Sequence, residues 1–134
     1  MKYLLDTNAC IVFLKNKNAM LINRVHARHH TDIVLCSVVV GELLYGTERS
    51  SHPVREKAKV DSFAAKLSSF PFDDSAARVY AQVKYDLEKR GLPIGENDLQ
   101  IAAIALDQNL TLVTHNTAEF SRIPNLNIED WEVP

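Results

Sequence analysis

Glycine is scarce in this chain, with 4 in 134 residues beside 5 prolines. That excludes collagen-like, linker-rich and low-complexity organisation, and no internal repeat is visible. Cysteine is nearly absent too. Cys10 and Cys36 sit among apolar residues, without C-x-x-C spacing and without a histidine nearby in sequence, which argues against a disulfide framework or a zinc site. No apolar run reaches the roughly 20 residues of a membrane span, and the N-terminus lacks the charged-then-apolar pattern of a signal peptide. The expectation is a cytoplasmic protein with no membrane partner. Excess positive charge is also missing: 15 Lys and Arg stand against 17 Asp and Glu, a net charge of −2. A chain coated for nucleic acid is excluded, but a basic rim around an acidic site is not. Arg24, Arg28, Lys84, Lys89 and Arg90 are the candidates for such a rim, each read first as part of a solvated helix face.

What is present is ordinary for one globular domain spanning residues 1–134: 46% hydrophobic and 24% charged residues. Lys2-Tyr-Leu-Leu5 reads as a buried strand ending on Asp6. Asn8 is placed to cap a helix over Ala9 to Lys15, and a second helix is expected from Ala19 to His29. Ile33 to Cys36 is the next strand, with Ser37 as N-cap of a helix carrying Val38, Val39, Val40, Leu43 and Leu44. Pro53 opens a helix whose apolar stripe is Val60, Phe63, Ala64 and Leu67. Phe70 to Phe72 is a short strand, and Asp73 or Asp74 caps a helix from Ala76 to Arg90 that stops at Gly91. Thr111 to Thr114 is a fourth strand and Leu126 to Ile128 a last one. Strands alternating with helices predict an α/β fold, a sandwich with a mostly parallel sheet.

The stretch from Pro93 to Leu106 organises the rest. It runs from a loop into a helix apolar on almost every face from Leu99 to Leu106, hence buried. Asp98 lies in its first turn, with Asn97 read as N-cap and Gln100 closing a loose capping box. Alone, Asp98 would merely complement the helix dipole. Asp6 and Glu42, however, also stand isolated in apolar runs, and a lone carboxylate buried in such a run must be paired, neutral or metal-bound. In open parallel sheets, sites form at the C-terminal strand ends where strand order switches. That rule gathers Asp6, Glu42, Asp98 and the polar run Thr114 to Thr117 at one pocket. Three carboxylates together stay ionised only with a cation, and hard oxygen ligands suit Mg²⁺, with Mn²⁺ able to substitute.

Leu4-Leu-Asp-Thr-Asn8, Ser37 to Glu42, Ile94 to Ala103 and Leu112-Val-Thr-His-Asn116, in this order and spacing, resemble the PIN-domain nucleases. The likeness spans the whole chain and is nearest to the VapC toxins of prokaryotic type II (VapBC) toxin–antitoxin pairs. It implies a PIN-like three-layer α/β/α sandwich and a Mg²⁺-dependent endoribonuclease. Asp6, Glu42 and Asp98 would be both the metal ligands and the catalytic residues. Thr7, Asn8, Ser37, Thr114 and Asn116 would order water or support the ligands around them. Many PIN domains carry a fourth acid where this chain has Asn116. Asn116 could reach a metal through a water but adds no charge, and Glu119 stands a turn later. One firmly bound ion is therefore expected.

A metal-bound water attacking phosphorus would leave a 5′-phosphate and a 3′-hydroxyl, with Asp98 or Glu42 orienting or deprotonating that water. The resemblance further implies a cognate VapB-like antitoxin, a homodimer that assembles further with it, and a structured RNA substrate. That RNA would be tRNA or rRNA, with a lean to initiator tRNA, so that cleavage inhibits translation. The helices of Val38–Leu44 and Val60–Leu67 could complete the core or form an antitoxin groove. Two alternatives stay open. An aspartyl-nucleophile phosphohydrolase wants a carboxylate at position 8, where this chain has Asn8. A catalytically weak PIN scaffold that only binds RNA or a partner would keep the fold without the cleavage.

Overall fold

Three short apolar segments make the centre of the molecule: β1 (Tyr3–Leu5), β2 (Ile33–Cys36) and β4 (Thr111–Val113). A computed structural model describes all 134 residues. Every residue of β2 and β4 is buried, as are Leu4 and Leu5 of β1, the pattern of strands covered on both faces. With β3 (Ser68–Phe70) and β5 (Ile128–Glu129) they form one five-stranded sheet in the order β3-β2-β1-β4-β5. All four pairings are parallel, so the sheet is wholly and not mostly parallel. Tyr3 pairs with both Ile33 and Thr111, which makes β1 the axis of the sheet. The chain proceeds outward on one side through β2 and β3, then returns past β1 to β4 and β5. The switch in strand order lies between β1 and β4.

Parallel strands need crossover connections, and helices supply them. They are α1 (Thr7–Leu14), α2 (Ala19–His26), α3 (Ser37–Glu48), α4 (Pro53–Ala65), α5 (Asp74–Lys89), α6 (Glu96–Asp107) and the single turn α7 (Thr117–Phe120). The arrangement is the expected three-layer α/β/α sandwich. Leu99 and Ile101 to Ala105 of α6 are all buried, so this helix is enclosed as its sequence predicts. Each fully buried Leu or Ile there is worth about 1.5–3 kcal/mol. Gly91, at φ +70, ends α5 in a left-handed turn in which Leu92 N–H reaches the Leu87 carbonyl at 2.9 Å. Cys10 and Cys36 are buried free thiols. No helix is long and apolar enough to cross a membrane.

Several boundaries differ from the expectation, each for a local reason. α2 stops at His26, three residues short of His29, and β3 begins at Ser68 instead of Phe70. Asp6, and not Asn8, caps α1: its Oδ1 accepts the Ala9 N–H at 2.8 Å. The helix after β2 starts on Ser37 itself, and the one after the Pro93 loop starts on Glu96, with Gly95 before it. Asn97 and Ser37 are therefore inside helices, and their side chains are free for tertiary partners.

Candidate active site

The end of β1 delivers Asp6, and the first turn of α1 fixes it. Its side chain is 4% exposed and capped onto Ala9. Burial pushes its pKa up; the Thr114 hydroxyl and the Ala9 N–H pull it partly back, and the Glu132 and Glu42 carboxylates push it up again. The Asp6 N–H bonds the Val113 carbonyl at 3.1 Å, so this residue sits in the switch between β1 and β4.

Glu42 arrives from the second turn of α3, half-buried, with both carboxylate oxygens occupied. Thr7 donates to Oε1 at 2.5 Å and the Asn97 amide to Oε2 at 3.0 Å. The isolated mid-helix acid is thus paired by hydrogen bonds from two other segments. Asp98, third residue of α6 and half-buried, makes no hydrogen bond to protein side chains. Its pKa is raised from 3.8 to about 6, first by burial and then by the charges of Asp6, Glu42 and Glu119. No cationic side chain contributes at either aspartate.

The segment after β4 closes the ring. Thr114 is buried and its hydroxyl accepts the Asn116 N–H at 3.0 Å. Asn116 in turn donates its side-chain amide to Glu119 Oε2 at 3.0 Å. The pair Asn116–Glu119 thus presents one carboxylate in place of two. Groups from β1, α1, α3, α6 and the β4–α7 turn thus lie close enough for the carboxylates of Asp6, Glu42, Asp98 and Glu119 to feel one another's charge.

Comparison with known proteins decides the family. The PIN domain family model matches residues 3–126. Ribonuclease VapC2 of Rickettsia felis is 38% identical over 134 residues, covering 98% of this chain and 99% of its own. The tRNA(fMet)-specific endonuclease VapC of Salmonella typhimurium is 37% identical over 131 residues, 98% of each chain. The chain is a PIN domain of the VapC family. Solved relatives superpose closely: a DNA-bound VapBC of Salmonella typhimurium has a TM-score of 0.92 at 37% identity over 98% of each chain. VapBC2 of Rickettsia felis, bound to a promoter DNA fragment, has 0.90 at 38%, over 98% of this chain and 99% of that one.

Around this PIN-domain centre some expected helpers stand elsewhere. Asn8 is exposed and makes no side-chain hydrogen bond. Ser37 accepts the Phe72 N–H at 3.1 Å, tying the start of α3 to the chain beyond β3. The expected basic rim is largely occupied. Arg24 donates to the carbonyls of Asp130 and Val133, and Arg28 lies over the rings of Tyr3 and Trp131. Lys84 pairs with Glu96 at 2.7 Å, and Arg90 pairs with Asp86 and the Arg122 carbonyl.

One residue at the site, Glu132, had no signal in the sequence, whereas His115 lies in the polar run after β4 that the sequence singles out. Glu132 faces Asp6 from the C-terminal segment, and Asn18 and Arg24 hold that segment by its carbonyls. His115 bonds Asp130 at 2.8 Å, and the pKa of His115 is raised by that contact. The one trio whose ligand atoms all lie within 4.8 Å of one another is His115, Asp130 and Glu132, so Asp6, Glu42 and Asp98 stand wider apart.

Proposed function

We propose that this VapC-family chain is a metal-dependent endoribonuclease toxin, with Asp6, Glu42 and Asp98 as its metal-holding and catalytic residues and Mg²⁺, or Mn²⁺ in its place, as the ion. One observation carries the reading. Asp98 is pushed to about pKa 6 by burial and by three neighbouring carboxylates, in a centre where no side-chain cation offsets them. All the donors are hard oxygens, and their wider spacing suits an ion that keeps part of its water shell. When bound, the ion would lower the pKa of a water and offset the charge growing on a phosphodiester.

The protein groups divide the remaining work. Glu42, held at both oxygens by Thr7 and Asn97, keeps one fixed orientation. Asp6 is fixed by its cap on α1. Asp98, free of protein partners and with raised proton affinity, takes a proton from the attacking water at its carboxylate oxygen. Water attacks phosphorus, the bond to O3′ breaks, and O3′ takes up a proton from solvent as it leaves, so the products are a 5′-phosphate and a 3′-hydroxyl. Asn116, bonded to Glu119, orders water beside the ion and adds no charge.

The name of the Salmonella typhimurium relative supports initiator tRNA as substrate, and a cytoplasmic place follows from it. The solved VapBC complexes support a VapB-like antitoxin as partner. The test is incubation of total RNA with Mg²⁺, followed by sequencing of the new 5′ ends. Cleavage at one tRNA class, abolished by EDTA and absent with p-nitrophenyl phosphate, supports the reading. RNA left intact in Mg²⁺ and in Mn²⁺ refutes it.

A further inference from the structure

An acidic centre repels the RNA it must cut, so the backbone of the substrate needs positive charge close by. A cleft of about 570 Å³ begins at Glu42 and runs between α1, α3 and α4. Its walls carry Lys15, His52, Arg55 and Lys59, against only Glu42 and Glu56. Ile11, Leu14, Leu43 and Val60 supply its apolar floor, and the remaining lining residues are polar or charged apart from Gly46. Lys15 has no ion-pair partner, and Arg55 and Lys59 share one oxygen of Glu56 at 3.7 and 3.5 Å. Two exposed cations on one carboxylate leave surplus charge, and pairs of that length and exposure are worth little. Of the other rim candidates, Arg24, Arg28, Lys84 and Arg90 are already spent on carbonyls, rings and acids, and Lys89 stands alone in the last turn of α5. In a protein of net charge −2, cations facing the acidic centre are therefore concentrated along α4 and the end of α1.

We propose that this cleft is the RNA path: Lys15, Arg55 and Lys59 bind successive phosphates of the strand whose scissile bond lies at Asp6, Glu42 and Asp98. The proposal rests on the ribonuclease reading for the chemistry at its acidic end. Glu42 joins the two, because it belongs to the carboxylate centre and also lines the cleft. A peptide partner fits better next door. Arg55 and Lys59 also border a second groove, where Phe13, Val25, Phe63 and Leu67 supply an apolar floor. Phosphate contacts of this kind position a strand without reading its sequence.

The test neutralises the three cations together, as Lys15→Gln, Arg55→Gln and Lys59→Gln, all exposed positions. Binding of a fluorescent stem–loop RNA is followed by anisotropy in EDTA against salt concentration, and cleavage is followed separately in Mg²⁺. The triple variant should bind RNA at least about tenfold more weakly, with a salt slope shallower by about two to three. KM should rise while kcat at saturating RNA and the Mn²⁺ affinity stay unchanged. A control triple, Lys2→Gln, Lys57→Gln and Lys89→Gln, should behave as wild type. Wild-type affinity and slope in the first triple variant overturn the proposal while leaving the nuclease reading intact. Wild-type protein that binds RNA with the predicted slope but never cuts it defeats the nuclease reading and keeps the path. Binding of an oligoglutamate peptide as tightly as RNA at equal salt, lost in the triple variant, would assign the cleft to an acidic partner and overturn it.

Discussion

Asp98→Asn separates a metal-site carboxylate from a helix-start carboxylate. In the folded, metal-free protein Asp98 keeps its proton up to about pH 6, while its ordinary value is 3.8. Between those values the folded state binds more protons than the unfolded chain, so metal-free stability falls as pH rises through that window and stays lower above it. At about 1.36 kcal/mol per tenfold change in proton affinity, the full effect is about 3 kcal/mol. Asp98 is partly solvated, and screening reduces this to about 1–2 kcal/mol. The dipole of α6 opposes it: a charged first-turn carboxylate gains about 0.5 kcal/mol that the amide loses. Repulsion and burial win, by about 1 kcal/mol. In EDTA near neutral pH, Asp98→Asn should therefore melt roughly 3–4 °C above wild type. The difference should vanish as pH falls toward about 4, where the wild-type carboxyl is protonated. Thermal melts by circular dichroism across that range, beside RNA cleavage in Mg²⁺, check both halves. A variant that melts below wild type at neutral pH and cuts RNA at the wild-type rate would show that Asp98 serves the helix alone.

Asp6→Asn should lose about 100-fold or more in cleavage yet keep its melting temperature, because an amide oxygen still caps Ala9; Asp6→Ala should lose the same activity and about 1 kcal/mol of stability in urea titration. Asn116→Asp sets a second carboxylate against Glu119, so it should lower the metal-free melting temperature and tighten Mn²⁺ binding by calorimetry. Unchanged Mn²⁺ affinity would turn that side chain away from the ion. Phe63→Glu places a charge in the apolar groove, beside the Phe13 ring 5.5 Å away, and should weaken co-purification with the proposed VapB-like antitoxin more than it weakens cleavage. Loss of the folded circular dichroism signal in that variant would return Phe63 to the core.

The central strands β1, β2 and β4 and the enclosed helix could be read from composition alone, because a segment buried on both faces shows mainly apolar residues. β2 and the run from Leu99 to Leu106 are of that kind. The less buried edge strands β3 and β5 could not be bounded that way. Asp6, Glu42 and Asp98 stood out by contrast with those surroundings, and the fold brings their segments together. Polar residues near helix starts misled, since a side chain that can cap can equally bond across the fold. Asn97 serves Glu42, 55 positions away, and Ser37 serves Phe72, 35 away. The rim misled for a related reason. Arg24 reads as a solvated cation until the C-terminal carbonyls, more than 100 residues on, close over it. Glu132 carries no local pattern at all, and only that closure brings it to Asp6.

The topology explains why so many acids can be held together. Asp6 and Thr114 follow neighbouring strands at the switch point, where the crossover helices diverge and leave a crevice. Three carboxylates there accept hydrogen bonds: Asp6 from Ala9 and Glu119 from Asn116, each within one turn of chain, and Glu42 from Thr7 and Asn97 across the fold. At Asp6 the Thr114 hydroxyl and the Ala9 N–H pull the pKa partly back, although burial still holds it raised. Asp98 accepts no such bond, and its pKa reaches about 6. Burial first and the neighbouring charges second raise the proton affinity of Asp98, which is the property the proposed mechanism asks of the group that takes the proton of an attacking water.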